Sequence, residues 1–328
     1  MEGELDVAEE SVRIAVAGAG AFGREHLRVL SGMSGVSIVG VADVNSGAAQ
    51  AAAERFGAGT AAIDAVEMIE RLRPDGFIVA TPGQTHVALT SAALRLGIPV
   101  LLEKPVGLSR RDADVLIEAE GKSRGFVLPG HILRFSAPYR ALVDIARSAD
   151  VGPILSVSAR NHRDDSHAVR YPDIDPVLMT MVHAIDLAIW TTGAELASVL
   201  AFRRPEGTAR SETLITGTDT RGSVWHISNA WTFPTSATPP DRVEIVGERG
   251  SVEMELGAHI RVFGSRPREI DLRKEPEDDM LLTEVSSFVA CVKSGRKPDV
   301  VTLKDARSGL AAVDAILESL RSGKVARA

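Results

Sequence analysis

Two sets of residues in this 328-residue chain could carry chemistry. The first lies in "IAVAGAGAFGREH" (14–26), where Gly18, Gly20 and Gly23 stand in G-x-G-x-x-G spacing with Ala21 and Phe22 between the last two. An apolar run precedes this loop and a helix-compatible segment follows it. An acidic residue, Asp43, ends the next apolar run. A dinucleotide needs this arrangement. The first glycine makes a tight turn, the second lets backbone approach a pyrophosphate, and the third lets helix and strand pack closely. The helix N-terminus adds free N–H groups and partial positive charge. Asp43 would accept hydrogen bonds from ribose hydroxyls and repel a 2′-phosphate. Val44, Asn45 and Ser46 bring no arginine to bind one, so NAD is expected rather than NADP. The alternative is a glycine turn with Asp43 capping a helix. The second set centres on His183 in "VLMTMVHAIDLAIW" (177–190), a segment of helical periodicity in which Asp186 shares its face. An imidazole titrates near neutrality and could exchange a substrate proton. A histidine packed between domains would look the same.

The elements that must position these groups are legible. Short apolar, β-branched runs at 12–18, 36–43, 76–82, 99–105 and 126–130 alternate with helical segments at 21–33, 46–56, 64–72, 84–96 and 109–122. Nearly continuous apolar strands separated by helices predict a parallel, doubly wound sheet with right-handed crossovers. After about residue 133 the pattern changes to longer alternating segments with polar turns, and a final helix is expected at 302–322. The expected fold is α/β: a short tail at 1–11, a Rossmann domain at 12–133, and an α+β domain at 134–328 with an open, mostly antiparallel sheet.

Bulk properties narrow the function. Net charge is −7, from 37 basic and 44 acidic residues, with no basic cluster, so neither nucleic acid nor an anionic membrane is an expected partner. No apolar stretch reaches the roughly 18–20 residues that span a bilayer, and the acidic "MEGELDVAEE" start lacks the apolar core of a secretory signal. The single cysteine, Cys291, excludes an internal disulfide and a multi-cysteine zinc site. It is expected as a small buried hydrophobe, in a cytoplasmic protein.

Further pieces follow in order: "VATPGQTH" (79–86), "LLEKPVG" (101–107), "GHILRF" (130–135), "VHAID" (182–186), "VEIVGERGSVEM" (243–254) and "SSFVACVKSGRKPDVVTLKDA" (286–306). Together with the glycine loop they make the chain, from about residue 12 to 323, resemble the Gfo/Idh/MocA family of NAD(P)-dependent oxidoreductases. The resemblance implies oxidation or reduction at a secondary hydroxyl of a sugar, polyol or sugar derivative, with no metal. It also implies that the open sheet serves oligomerisation, as a homodimer or homotetramer.

On that resemblance, Lys104 of Glu-Lys-Pro sits beside the reacting oxygen and also contacts the cofactor, and His183 is the base and a substrate contact. Thr81, Pro82 and His86 fall near the cofactor, and Glu103 turns towards the cofactor or a structural partner. Two positions depart from the family pattern: Met179 stands where many members have an aspartate, and Gly83 where an asparagine is frequent. A thioether cannot stabilise an imidazolium. Either His183 works without a carboxylate, or Asp173 or Asp175 of "YPDIDP" supplies one; these two could equally bind substrate or cap the helix. Arg134 and His162, beside His131, Arg160, Asn161 and Arg163, are the expected substrate contacts, with strand-surface charges as the alternative. Trp225 and Trp231 are expected in sheet packing. Two other functions share this frame: an NAD-retaining glycosidase working by transient oxidation, and a non-enzymatic NAD or sugar sensor.

Overall fold

The computed structural model describes residues 11–171 and 174–328. The expected tail, apart from residue 11, lies outside the described residues. Contacts divide the chain into two compact units that are not contiguous in sequence. The first runs to Val106 and adds Val115–Gly130 and Leu281–Thr302; the second comprises Gly107–Asp114, His131–Met280 and Leu303–Ala328. The contacts thus cluster differently from a single division at 133/134.

The first unit is built on a six-stranded sheet: β1 (Val12–Ala17), β2 (Val36–Ala42), β3 (Ala61–Ala62), β4 (Gly76–Val79), β5 (Val100–Glu103) and β6 (Val127–Gly130). Its order is β3-β2-β1-β4-β5-β6, and every pairing is parallel. That is the dinucleotide-binding order. β4, β5 and β6 are buried along their whole length, which is why they read as continuous apolar runs. The pattern missed β3, whose two alanines are too short to register. Two of its helices start at side-chain caps: Asn45 accepts the Ala48 N–H, and Asp64 accepts those of Val66 and Glu67. Outward from β6, Phe126 meets Phe288 of the helix Met280–Ser294 edge to face, with centroids 6.2 Å apart. Cys291 on that helix is half-buried, not fully enclosed as expected.

The second unit carries nine strands: β7 (Ile154–Asp164), β8 (Leu196–Arg204), β9 (Glu212–Asp219), β10 (Val224–Phe233), β11 (Arg242–Gly247), β12 (Ser251–Glu255), β13 (His259–Phe263), β14 (Arg268–Asp271) and β15 (Ala326–Arg327). They lie in the order β14-β13-β12-β11-β7-β10-β9-β8-β15. All pairs are antiparallel except β7 with β10, which the local pattern could not reveal. Burial alternates strictly along β9, as expected when one sheet face meets the core. The helices Val182–Thr192 and Leu303–Ser322 pack on the inner face. Trp225 and Trp231 are wholly buried there. On the opposite face Phe202, Leu214 and Val224 are exposed, as is Phe263. No helix among the described residues is long and apolar enough to cross a membrane.

Candidate functional site

The three glycines are required for three different reasons. Gly18 has φ +99°, and a Cβ there would fall 2.3 Å from the Ala80 carbonyl oxygen. A Cβ on Gly23 would fall 2.0 Å from the Gly18 oxygen, so this glycine sets how closely the helix Ala21–Ser31 packs on the loop. A Cβ on Gly20 would meet nothing within 4 Å. That is the open side from which a ligand can reach the backbone. The helix begins at Gly20 with no side-chain cap and no acidic residue in its first turn, so its N–H groups remain for an anion. Ala21 and Phe22 are exposed at this end.

Asp43 ties the loop to the end of β2. One carboxylate oxygen accepts the Ala19 N–H at 2.7 Å and the other the Asn45 N–H at 2.9 Å. A carboxylate offers about four acceptor sites, so each oxygen keeps capacity for a ribose hydroxyl. Loop positioning and spare acceptor capacity for a ribose hydroxyl therefore coincide in one side chain, and the helix-capping role falls to Asn45. Arg24, which the motif did not single out, donates from Nη1 to the Ala19 carbonyl at 2.8 Å and adds positive charge to the loop. Its place directly after the third glycine was the available signal. These residues fit a dinucleotide.

Beyond β4 and β5 the expected residues separate by role. Thr81 is half-buried and Pro82 exposed, and the Thr81 hydroxyl lies 2.7 Å from that of Thr85. His86 is almost wholly buried, with Nε2 at 2.7 Å from the Thr81 carbonyl oxygen and Nδ1 at 2.8 Å from that of Pro105. It ties the two segments together from beneath. Burial lowers the His86 pKa against the opposing pull of those carbonyls, so a neutral ring has one N–H for two acceptors. Glu103 also turns inward. Its Oε1 is 2.7 Å from His26 Nε2, and its Oε2 accepts the Lys104 N–H at 3.2 Å. Of its two expected directions, the structural partner is the one seen. Lys104 follows at the strand end, half-buried, before a cis bond to Pro105.

In the second unit His183 is half-buried on the helix Val182–Thr192. The uninterrupted helix expected from residue 177 is instead a π turn over Val177–Met181, followed by that helix. Such turns recur at functional sites. Thr180 anchors this one to the sheet: its hydroxyl donates to Asn229 Oδ1 at 2.8 Å and accepts the Trp231 Nε1–H at 2.9 Å. Met179 is half-buried within the turn. Asp173 lies outside the described residues. Asp175 acts as a cap, accepting the Val177 N–H at 2.9 Å, and is gripped by both Arg203 Nη atoms at 2.7 Å.

Two expected substrate contacts point inward. Arg134 is buried, and its Nε and Nη2 donate to Asp186 at 3.0 and 2.8 Å; Asp305 lies 3.2 Å from Nη2. His131 Nδ1 stands 3.4 Å from Asp186. Burial would raise the Asp186 pKa, but His131 and Arg134 outweigh it and hold the carboxyl well below its ordinary range. His162 is also buried, with Nε2 at 2.8 Å from the Ser228 hydroxyl and its ring stacked on Phe233. Burial, reinforced by Arg160, lowers its pKa.

The Arg134–Asp186 pair allows a stability prediction. Arg134→Met strips a buried carboxylate of two charged hydrogen bonds and is expected to cost about 3–5 kcal/mol in urea unfolding. Because the folded-state pKa of Asp186 is depressed, the wild-type contribution is complete above about pH 4, the ordinary aspartate value, and is lost as pH falls towards the depressed one. A mutant as stable as wild type at pH 7 would remove this pair from the fold's support.

Residues 12–131 match an oxidoreductase family with an NAD-binding Rossmann fold, and residues 139–253 match the GFO/IDH/MocA C-terminal domain. Inositol 2-dehydrogenase 2 of Saccharopolyspora erythraea is 30% identical over 96% of this chain and 95% of its own length. Inositol 2-dehydrogenase of Acidothermus cellulolyticus is 30% identical over 96% and 94%. Among solved structures, myo-inositol 2-dehydrogenase of Lactobacillus plantarum aligns with TM-score 0.83 at 21% identity, covering 97% of this chain and 99% of that one. An oxidoreductase of Agrobacterium radiobacter in complex with NAD+, L-tartaric acid and magnesium aligns with TM-score 0.87 at 17% identity, covering 97% and 98%.

Proposed function

Because the chain belongs to the Gfo/Idh/MocA oxidoreductase family, we propose that it is an NAD-dependent dehydrogenase acting on a secondary hydroxyl of an inositol-like polyol or a sugar. The observation that carries this reading is the glycine loop held to Asp43, with an uncapped helix N-terminus and an open approach at Gly20. The relatives named as inositol 2-dehydrogenases along nearly their whole length support the substrate class.

The loop amides at 18–23 and the Asp43 carboxylate hold the dinucleotide. When bound, its nicotinamide supplies the acceptor or donor of hydride. Lys104 orients the substrate hydroxyl and places positive charge beside the oxygen as it becomes alkoxide-like. His183 accepts the hydroxyl proton, or returns it in the reduction. With Asp175 engaged by Arg203, His183 does this without a carboxylate from Asp175. The outer face of the second sheet carries exposed Phe202 and Leu214 in register, with Val224, which supports assembly as a homodimer or homotetramer. The single cysteine supports work in a reducing cytoplasm.

The test is a panel of cyclic polyols, sugars and nucleotide sugars with NAD, followed at the nicotinamide absorbance band. Steady NADH formation with a cyclic polyol or sugar is expected; NAD binding without turnover on any member would overturn the reading. Asp43 gives a sharper outcome. Both of its oxygens accept backbone N–H groups, so Asp43→Asn sets an amide donor against a donor. NAD affinity is expected to fall roughly 10–100-fold, the loss of charged hydrogen bonds. The NADP-to-NAD preference should rise, because the charge that repels a 2′-phosphate is gone. Fluorescence titration measures both.

A further inference from the structure

The first unit buries a second carboxyl that no step above uses. Glu284, on the helix Met280–Ser294, is wholly buried, and neither carboxyl oxygen has a hydrogen-bond partner. Glu103 at the end of β5 is its charged neighbour. Burial first, and then the charge of Glu103, push the Glu284 carboxyl well above its ordinary range. The two side chains are not equivalent. Glu103 has a polar partner on each oxygen, His26 Nε2 at 2.7 Å on one and the Lys104 N–H on the other. Glu103 is thus satisfied by its neighbours, whereas Glu284 is not. Two carboxyls that feel each other's charge in a low-dielectric interior cannot both ionise cheaply. The member with no donors is the one that keeps its proton.

We propose that Glu284 is a neutral, protonated carboxyl and a positioning residue. By adding no second charge it leaves Glu103 fixed between His26 and the Lys104 backbone, and so holds the strand end that carries Lys104. Glycine at 130 makes room for this arrangement, since a Cβ there would lie 3.2 Å from Glu103 Oε2. Titratable groups near Glu103 include His26 from the helix Ala21–Ser31, His86, which feels its charge from the helix His86–Arg95, and Lys104 next to it in the chain. Only the last link, to Lys104, rests on the function proposed above.

The sign of the effect is distinctive. A carboxyl that holds its proton in the folded state makes stability fall as pH rises from the ordinary glutamate value, about 4.3, towards its folded one. Glu284→Gln keeps the shape and is neutral throughout. Its Tm is expected to gain on wild type progressively as pH rises above the ordinary glutamate value, about 4.3. A flat difference, or one that moves against the variant, overturns the proposal. Should the variant not fold, infrared spectroscopy of wild type with carboxyl-labelled glutamate decides: a protonated C=O band at pH 7 is expected, and its absence overturns the proposal. The positioning role is read from the alkaline limb of the kcat profile, which should extend to higher pH in Glu284→Gln with KM for NAD unchanged. Superimposable profiles would leave Glu284 merely structural. A wild type without turnover would overturn the dehydrogenase reading alone, since the Tm and infrared measurements need no substrate.

Discussion

Lys104→Ala is expected to lower kcat by roughly 10²–10⁴-fold while NAD affinity changes by no more than about threefold. The magnitude follows from the role. A positive donor aimed at a developing oxyanion accounts for about 10²–10³ in rate, and general acid–base assistance for up to about 10⁴. The selectivity follows from the structure. The backbone of Lys104 is held through its N–H to Glu103, which is held in turn by His26. Truncating the side chain leaves that framework in place, along with the glycine loop and Asp43. Pre-steady-state mixing with NAD and the best polyol of the panel separates chemistry from release. A variant that keeps wild-type kcat removes Lys104 from the mechanism. One that loses NAD binding along with kcat places the lysine in cofactor recognition.

Gly23→Ala should be severely damaging for one added methyl group. Its Cβ would stand 2.0 Å from the Gly18 carbonyl oxygen, and Gly18 cannot retreat. Gly18 N–H is bonded to the Ala42 carbonyl at 2.8 Å, and any displacement is limited by Ala80 behind it. The helix must therefore move off the loop. Overpacking of this kind costs about 1–3 kcal/mol or more, and the loop amides lose their common aim. NAD affinity is expected to fall at least about 100-fold, equivalent to roughly 2.7 kcal/mol, with Tm lowered by several degrees. Gly20→Ala is the control. Its Cβ meets no neighbour, so Tm should hold while NAD binding weakens, because the methyl group occupies the ligand's approach. If Gly23→Ala binds NAD like wild type, the close helix–loop packing is not what shapes the cofactor site. Calorimetric titration and thermal unfolding on the same samples distinguish these outcomes.

Much of this organisation is written locally. The alternation of buried strands and helices, the glycine spacing and Asp43 at the end of β2 depend on groups a few residues apart. Short-range stereochemistry and burial period determine them, so the parallel doubly wound sheet and the glycine loop are legible in the sequence, while the short edge strand β3 is not. The open second sheet was readable in kind, from alternating burial, but not in its parallel β7–β10 pairing, which joins segments some 70 residues apart.

What the tertiary structure alone decided is how the polar side chains are spent. Arg134 and His162 carry the same groups whether they face a substrate or a neighbouring element; only the packing turned one onto Asp186 and the other onto Ser228 and Phe233. The cap at Asp175 acquired Arg203 from β8, and Glu103 acquired His26 from the first helix. The reason is common to all four. A buried charge or imidazole must find a partner where it lies, and which partner that is depends on the elements brought beside it across the sheet, not on its neighbours in the chain.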